Sequence, residues 1–341
     1  MEKLDLHPRI MLALKKSKLK SFPEILSLSN PDLKRATNLS SRDVQILKGA
    51  VAESIPMLPI VTAFNLTKQS NVPPALKVDK LSTSCEILDK ALRGGFISRG
   101  ITEIVGESAC GKTQLCLQLS LMCQLPEEAG GLAGDTMYIC TEDAFPTKRF
   151  TQLIEAWHQK GIWKKLSDGC LQPGDHVYIE HITDVESLIV CLERKLPVLI
   201  KRRKIKLIVL DSVAALFRSE YAIEDTLLRS KHLSSIAKEL HHVNMHYNIP
   251  VMCVNQVTAS EKSNSNIPCL GLSWANHLTT RIQLTKVEQT ALPPSVIELF
   301  GPHVSFRNLE VVFAPHIPQT VIPYIINNDG VKGISLSNIL M

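Results

Sequence analysis

The sequence is poor in aromatic residues, which make up 5% of its 341 positions. A broad base-stacking platform for single-stranded nucleic acid is therefore not indicated. No uninterrupted apolar run approaches the roughly eighteen residues that a membrane span needs. The N-terminus is amphipathic and Lys-rich with no apolar signal core, so no secretion is expected. None of the nine cysteines forms a C-x-x-C pair. An odd, unpaired set argues against a disulfide framework or a zinc site and suits a reducing compartment, with several cysteines acting as small core residues. The eleven histidines show no metal-ligand spacing.

Excess charge is also missing from most of the chain. Residues 1–50 hold ten Lys/Arg and five Asp/Glu, and the remainder holds 38 − 10 = 28 basic and 33 − 5 = 28 acidic residues. The whole net charge of +5 thus lies in the first fifty positions. Such a module attracts phosphate backbones, although a solvated helical surface accounts for it as well. The run Lys201-Arg202-Arg203-Lys204 is best read as a solvated approach to the strand after it, with a nuclear localisation signal or a nucleic-acid patch as alternatives.

Residues 1–53 read as short capped helices that must pack on one another, because helices this short are marginal alone. Pro8 suits a first helical turn and is followed by Ile10, Met11 and Leu14 at helical spacing. Ser21 with Glu24 forms a capping-box signature, and Asn30 before Pro31 and Ser40 with Asp43 mark two further starts. Residues 54–80 form a linker in which Pro56, Pro59, Pro73 and Pro74 favour extended chain. The linker contains one apolar island, Ile60-Val61-Thr62-Ala63. Over 81–341, apolar strand-like runs (101–105, 137–140, 177–179, 207–210 and 251–254) alternate with helical segments. That alternation predicts an α/β fold with a largely parallel sheet covered on both faces. The polar stretch 259–266 cannot order itself alone.

The strongest chemical signal is Gly106-Glu107-Ser108-Ala109-Cys110-Gly111-Lys112-Thr113, a match to G-x-x-x-x-G-K-[ST]. The glycines let the backbone turn tightly so that N–H groups face phosphate oxygens, and the helix that follows adds its positive end. Lys112 is expected to reach the β- and γ-phosphates of ATP, and the Thr113 hydroxyl to bind Mg2+. A strand runs into Gly106, and a helix with Leu115, Cys116, Leu119, Met122 and Cys123 on one face leaves it, which is the context the motif requires. A second element agrees: the strand 206–210 ends in Asp211, placed to hold the magnesium shell. Glu142 follows the strand 137–140 at the carboxyl edge of the sheet, where α/β proteins bind ligands. It can orient and deprotonate the attacking water, with Asp143 as the rival and a plain solvated acid as the remaining reading. Gln256, after the strand 251–254, is placed like an amide that senses the γ-phosphate.

Four segments carry a resemblance: LRGGFISRGITEIVGESACGKTQL (92–115), MYICTEDAF (137–145), KLIVLDSVAALFR (206–218) and VNQV (254–257). With them the chain resembles the RecA/RadA recombinase family over nearly its whole length, on the side of the eukaryotic recombinase paralogues. The resemblance implies a RecA-type P-loop ATPase core behind a small helix-hairpin-helix-like N-terminal domain. It implies weak DNA-dependent ATPase activity, and work in homologous recombination and double-strand break repair as a regulatory subunit. The alternative is an autonomous ATP-dependent strand-exchange recombinase. It supports Glu142 as the catalytic acid, Gln256 as the γ-phosphate sensor and Arg149 as the residue packing on adenine. Ile60-Val61-Thr62-Ala63 occupies the place of the family's Phe-x-x-Ala filament motif, so Ile60 and Ala63 are expected to dock on a C-type recombinase paralogue in a heterodimer. Further expected partners are DNA, bound weakly by the isolated chain, and the main strand-exchange recombinase. The expected location is the nucleus with a cytoplasmic pool, and no membrane contact is expected.

Departures from the family pattern point away from autonomous strand exchange. The N-terminal hairpin reads Asn38-Leu39-Ser40-Ser41 in place of a glycine turn. The first DNA loop reads Ala222-Ile223-Glu224-Asp225, and a carboxylate facing a phosphate backbone is repulsive. The second loop, 258–270, is short and lacks paired glycines. Phe313-Ala314-Pro315 stands where recombinases place Asp-Ser-Pro to cap a neighbour's ATP.

Overall fold

A computed structural model describes residues 6–17, 19, 21–55, 61–67, 76–165, 172–219, 221, 225–259, 266–288, 300–301 and 304–335. The chain divides into two compact units, Met1–Leu76 and Lys77–Met341, and the break falls inside the predicted linker. Ile60 and Glu224 lie outside the described residues.

The first unit holds α1 (Pro8–Lys16), α2 (Phe22–Ser27), α3 (Asn30–Thr37), α4 (Ser41–Ser54) and α5 (Ala63–Thr67). The caps explain the boundaries. The Ser21 hydroxyl accepts from the Glu24 N–H at 3.4 Å while the Glu24 carboxylate accepts from the Ser21 N–H at 3.3 Å. The helix expected to start at Asn30 is capped one residue earlier, where the Ser29 hydroxyl accepts from the Asp32 N–H. Ser40 caps α4 through the Asp43 N–H, and Asp43 also pairs with Arg9. Where the family pattern has a glycine turn, Asn38 adopts the left-handed conformation, φ 56°, which asparagine tolerates better than most residues. Ile10, Leu14, Ile25, Leu33, Val44, Leu47 and Val51 bury a common apolar face. Each such side chain contributes about 1.5–3 kcal/mol, which is what these short helices need to persist. Ala63 departs from expectation. The segment was expected to be extended, but the Thr62 hydroxyl accepts from the Asn65 N–H at 3.2 Å and starts the exposed five-residue helix α5.

The second unit begins with a small antiparallel pair, β1 (Lys80–Leu81) with β2 (Phe96–Ile97), flanking α6 (Glu86–Ala91). Then β3 (Ile101–Gly106) leads into α7 (Lys112–Met122), and β4 (Asp135–Cys140) into α8 (Thr147–Gln159). β5 (Val177–His181) leads into α9 (Val185–Val190) and α10 (Leu196–Arg202), and β6 (Ile205–Asp211) into α11 (Val213–Ser219) and α12 (Thr226–Tyr247). After β7 (Val251–Asn255) come a hairpin of β8 (Val257–Ala259) and β9 (Asn266–Pro268), then α13 (Gly271–Ala275). The last strands are β10 (Thr280–Lys286), β11 (Arg307–Phe313), β12 (Thr320–Asn327) and β13 (Gly330–Gly333). One nine-stranded sheet runs β13-β12-β11-β10-β3-β7-β6-β4-β5. It is parallel from β10 to β5, as expected, and antiparallel from β10 to β13.

Successive strand residues feed opposite faces, as the two-residue period demands. Ile104, Tyr138, Leu207, Val209 and Met252 pack on one face with Leu115, Leu119 and Trp157. Met137, Ile139, Ile208, Leu210 and Val251 pack on the other with Leu188, Leu233 and Ile236. The one-sided stripe expected for the P-loop helix is replaced by burial all round: every residue from Leu115 to Met122 is inside. Its Gln118 is satisfied there, donating to the Thr83 and Val331 carbonyls and accepting from the Val331 N–H at 2.6 Å. Beneath the site, Glu103 of β3 is fully buried. It is ion-paired to Arg281 and accepts from Trp274 Nε1 at 2.9 Å and Asn255 Nδ2 at 2.7 Å. Burial of a carboxylate is tolerable only with such partners.

Candidate nucleotide site

The loop 106–111 arches from the carboxyl end of β3 to the first turn of α7. Gly106 has the Leu284 carbonyl oxygen only 2.2 Å from where a Cβ would stand, and Gly111 (φ 99°) has Ile326 Cδ1 at 2.4 Å. Gly106 therefore excludes a side chain because fixed backbone stands in the way, and Gly111 because its positive φ disfavours any other residue. Gly111 precedes α7 without a side-chain cap, so the N–H groups of the first turn are left facing the cleft. Uncapped donors at the positive end of an eleven-residue helix form an anion site. The cleft encloses about 850 Å³ and is lined by the loop, Lys112, Thr113, Glu142, Asp143, Asp211 and Gln256.

Lys112 donates to the Gly106 and Glu107 carbonyls, both at 2.7 Å. Burial pulls its ammonium below the ordinary lysine range. Asp211 accepts from the Thr113 hydroxyl and from the Tyr138 phenol, both at 2.8 Å. Burial pushes its carboxyl up, and these two hydrogen bonds pull it back. A hydroxyl and a carboxylate at one point supply hard oxygen ligands of the kind magnesium takes. The chemistry of the donor set therefore fits the expected Mg2+.

Across the cleft, Glu142 accepts from Gln256 Nε2 at 2.7 and 3.1 Å and from Arg218 Nη2 at 2.8 Å. The strand ends of β4 and β7 bring the first two together. Arg218 carries no local sequence signal that places it here. It stands on α11, seven positions beyond Asp211, and reaches the same carboxylate. Two more residues were not foreseen. Asn266 of β9 donates to the Glu107 carboxylate, which ties the second loop to the P-loop. Although the polar stretch 259–266 was expected to lack order, its two ends pair as β8 and β9. Arg307 lines the cleft and donates to the Ala109 carbonyl at 3.3 Å. Nothing local in the sequence signals these two, because each depends on a long-range strand pairing.

Arg149 of α8 reaches the other flank. Its Nε donates to Gln114 Oε1 at 2.7 Å and its Nη2 to the Asn327 carbonyl at 2.6 Å. It thus sits between α7 and the β12–β13 turn, beside the loop but outside the cleft lining. Burial raises the Cys110 and Cys116 thiols, and pushes those of Cys123 and Cys140 up to about 12. All cysteines among the described residues are free thiols. No group of ligands suited to a structural metal occurs among the described residues.

Residues 76–291 match the Rad51 family model, and residues 1–55 match the XRCC3/RpoA-like helix-hairpin-helix domain. The chain is 40% identical over 346 residues to the DNA repair protein XRCC3 of Bos taurus, with 98% of each chain covered. It is 36% identical over 353 residues to the DNA repair protein XRCC3 of Mus musculus, again with 98% of each covered. To the DNA repair protein RAD51 homolog 2 of Homo sapiens it is 26% identical over 359 residues, covering 97% of this chain and 88% of the other.

Proposed function

This chain belongs to the Rad51 family, and from that premise we propose that its cleft binds ATP with Mg2+ and hydrolyses it weakly, in response to DNA. The protein is a recombination-repair paralogue, and autonomous strand exchange is not favoured. The observation that carries the ATPase reading is the convergence of Glu142, Gln256, Thr113 and Asp211 on one P-loop. The loop N–H groups and the α7 terminus hold the phosphates. Lys112 exchanges its two loop carbonyls for the β- and γ-phosphate oxygens. Thr113 and Asp211 hold Mg2+, which supplies charge neutralisation when bound. Glu142 takes the proton of the attacking water, Gln256 reads the γ-phosphate, and Arg149 packs on the adenine. Asp143 lines the same cleft and is the alternative base.

The chain works as a regulatory subunit in double-strand break repair. Its partner is a C-type recombinase paralogue, contacted through Ile60 and Ala63, and it also meets the main strand-exchange recombinase. DNA is held weakly, through the excess positive charge of the first fifty residues. The location is the nucleus with a cytoplasmic pool. Among the described residues no helix is long and apolar enough to cross a membrane. Size analysis of the chain with the C-type paralogue, with and without ATP, tests the assembly. A heterodimer should form with the parent and fail with Ala63→Glu, which places a charge in the contact. Undiminished pairing by a folded Ala63→Glu protein puts the interface elsewhere.

A further inference from the structure

Glu142 accepts three hydrogen bonds from two side chains across the cleft. One of its oxygens accepts from both Arg218 Nη2 and Gln256 Nε2, and the other accepts from Gln256 Nε2. Three of the roughly four lone-pair directions of the carboxylate are then taken, which leaves little room to orient and deprotonate a water until a donor leaves. The two donors come from different places. Gln256 stands at the root of the β8–β9 hairpin, where its carbonyl accepts from the Cys269 N–H at 2.9 Å. Arg218 stands near the end of α11, whose Phe217 stacks on Tyr221 at 5.4 Å, and Tyr221 in turn bonds His232 of α12. Arg229 of α12 lies 6.0 Å over the Phe217 ring, so a second cation flanks the same spot.

We propose that Arg218 is a latch on Glu142: the guanidinium holds the carboxylate out of use until a polyanion lying along α11 draws it away. The strength of the contact decides that it can open. The Arg218 and Glu142 side chains are 50% and 43% exposed, and an ion pair so exposed is weak and easily screened. A single phosphate offers the guanidinium a bidentate alternative of at least equal quality. The hydroxyl and carboxylate that hold the metal are not disturbed, so the latch acts on turnover and leaves nucleotide binding intact. Arg218 is thus a positioning residue that acts through Glu142.

The inference rests on Glu142 being the base. The test measures ATP hydrolysis and nucleotide affinity by the full chain, with and without a single-stranded oligodeoxythymidylate. Arg218→Ala should raise hydrolysis without oligonucleotide by up to about fivefold, the most an exposed pair holds. It should leave nucleotide affinity unchanged and abolish the response to oligonucleotide. Arg218→Lys keeps a cation at the carboxylate and should restore the low basal rate. The double variant with Glu142→Gln should be no faster than Glu142→Gln alone. Basal hydrolysis unchanged or lowered in a folded Arg218→Ala protein, while Glu142→Gln abolishes it, overturns the latch alone. Hydrolysis indifferent to Glu142→Gln overturns the assignment of the base, and the latch with it.

Discussion

On the P-loop side of the cleft, the functional groups are sunk into the sheet. Asp211 is held by two donors at 2.8 Å, Gly106 presses on the β10 backbone, and Glu103 anchors β10 to β3 from below. On the opposite side, Glu142, Gln256 and Arg218 hold one another in the open, on residues that lead directly into loops. The groups assigned to nucleotide binding are overdetermined by packing. Those assigned to turnover depend on contacts worth little individually. The difference teaches that affinity and hydrolysis can vary separately in this fold, since a change in the open half need not disturb the buried half.

Four substitutions strain that contrast, in order of expected effect. Glu142→Gln should lower hydrolysis by about 10²–10⁴-fold, the usual contribution of a general base. Its melting temperature and ATP affinity should match the parent, and a large drop in stability would show that the open half is structural after all. Glu103→Ala should destabilise the fold by about 3–5 kcal/mol in denaturant unfolding, because the half-buried Arg281 loses its partner and the buried donors of Trp274 and Asn255 lose their acceptor. A loss within ~0.5 kcal/mol would mean that the floor of the site is not held by this pair. Lys112→Ala should lose about 1.5–3 kcal/mol of nucleotide binding, roughly 10–150-fold in Kd by titration, with unfolding unchanged. Since burial depresses the Lys112 ammonium, and phosphate binds its protonated form, parent affinity should also fall on the alkaline side before an ordinary lysine titrates. Affinity flat through that range would remove Lys112 from phosphate contact. Tyr138→Phe keeps the ring and deletes one bond to Asp211, so its cost in unfolding should be near 1 kcal/mol.

The buried half was the more legible in sequence. A P-loop announces itself through glycine spacing, and Asp211 through a strand that ends in a carboxylate, because each signal is local and tied to backbone geometry. The parallel strands read as continuous apolar runs since both faces are covered. The antiparallel strand β11 shows no such run: in Arg307-Asn308-Leu309-Glu310-Val311, polar positions interrupt the apolar ones. Glu142 and Gln256 were placed correctly at strand ends, but the third member, Arg218, depends on the direction in which α11 leaves the sheet. Asn266 reaches Glu107, at a sequence separation of 159, only because β9 folds back on β8 as a hairpin. Ala63 was misread because apolar residues between prolines suggest extended chain, whereas a single Thr62 hydroxyl bond suffices to begin a helical turn.

The three tryptophans of the chain turn these arrangements into an optical signal. Trp157 is buried in α8, its indole N–H bonded at 2.9 Å to the Asp329 carbonyl, in the same turn that accepts from Arg149. Trp163 lies 5.7 Å away, close enough to share excitation. Trp274 is bonded to Glu103 instead. Occupation of the Arg149 flank by an adenine should therefore perturb the emission of the paired indoles and leave that of Trp274 constant, whereas loosening of the sheet floor should do the reverse. The unlabelled protein carries separate fluorescent reporters for its ligand seat and for its foundation.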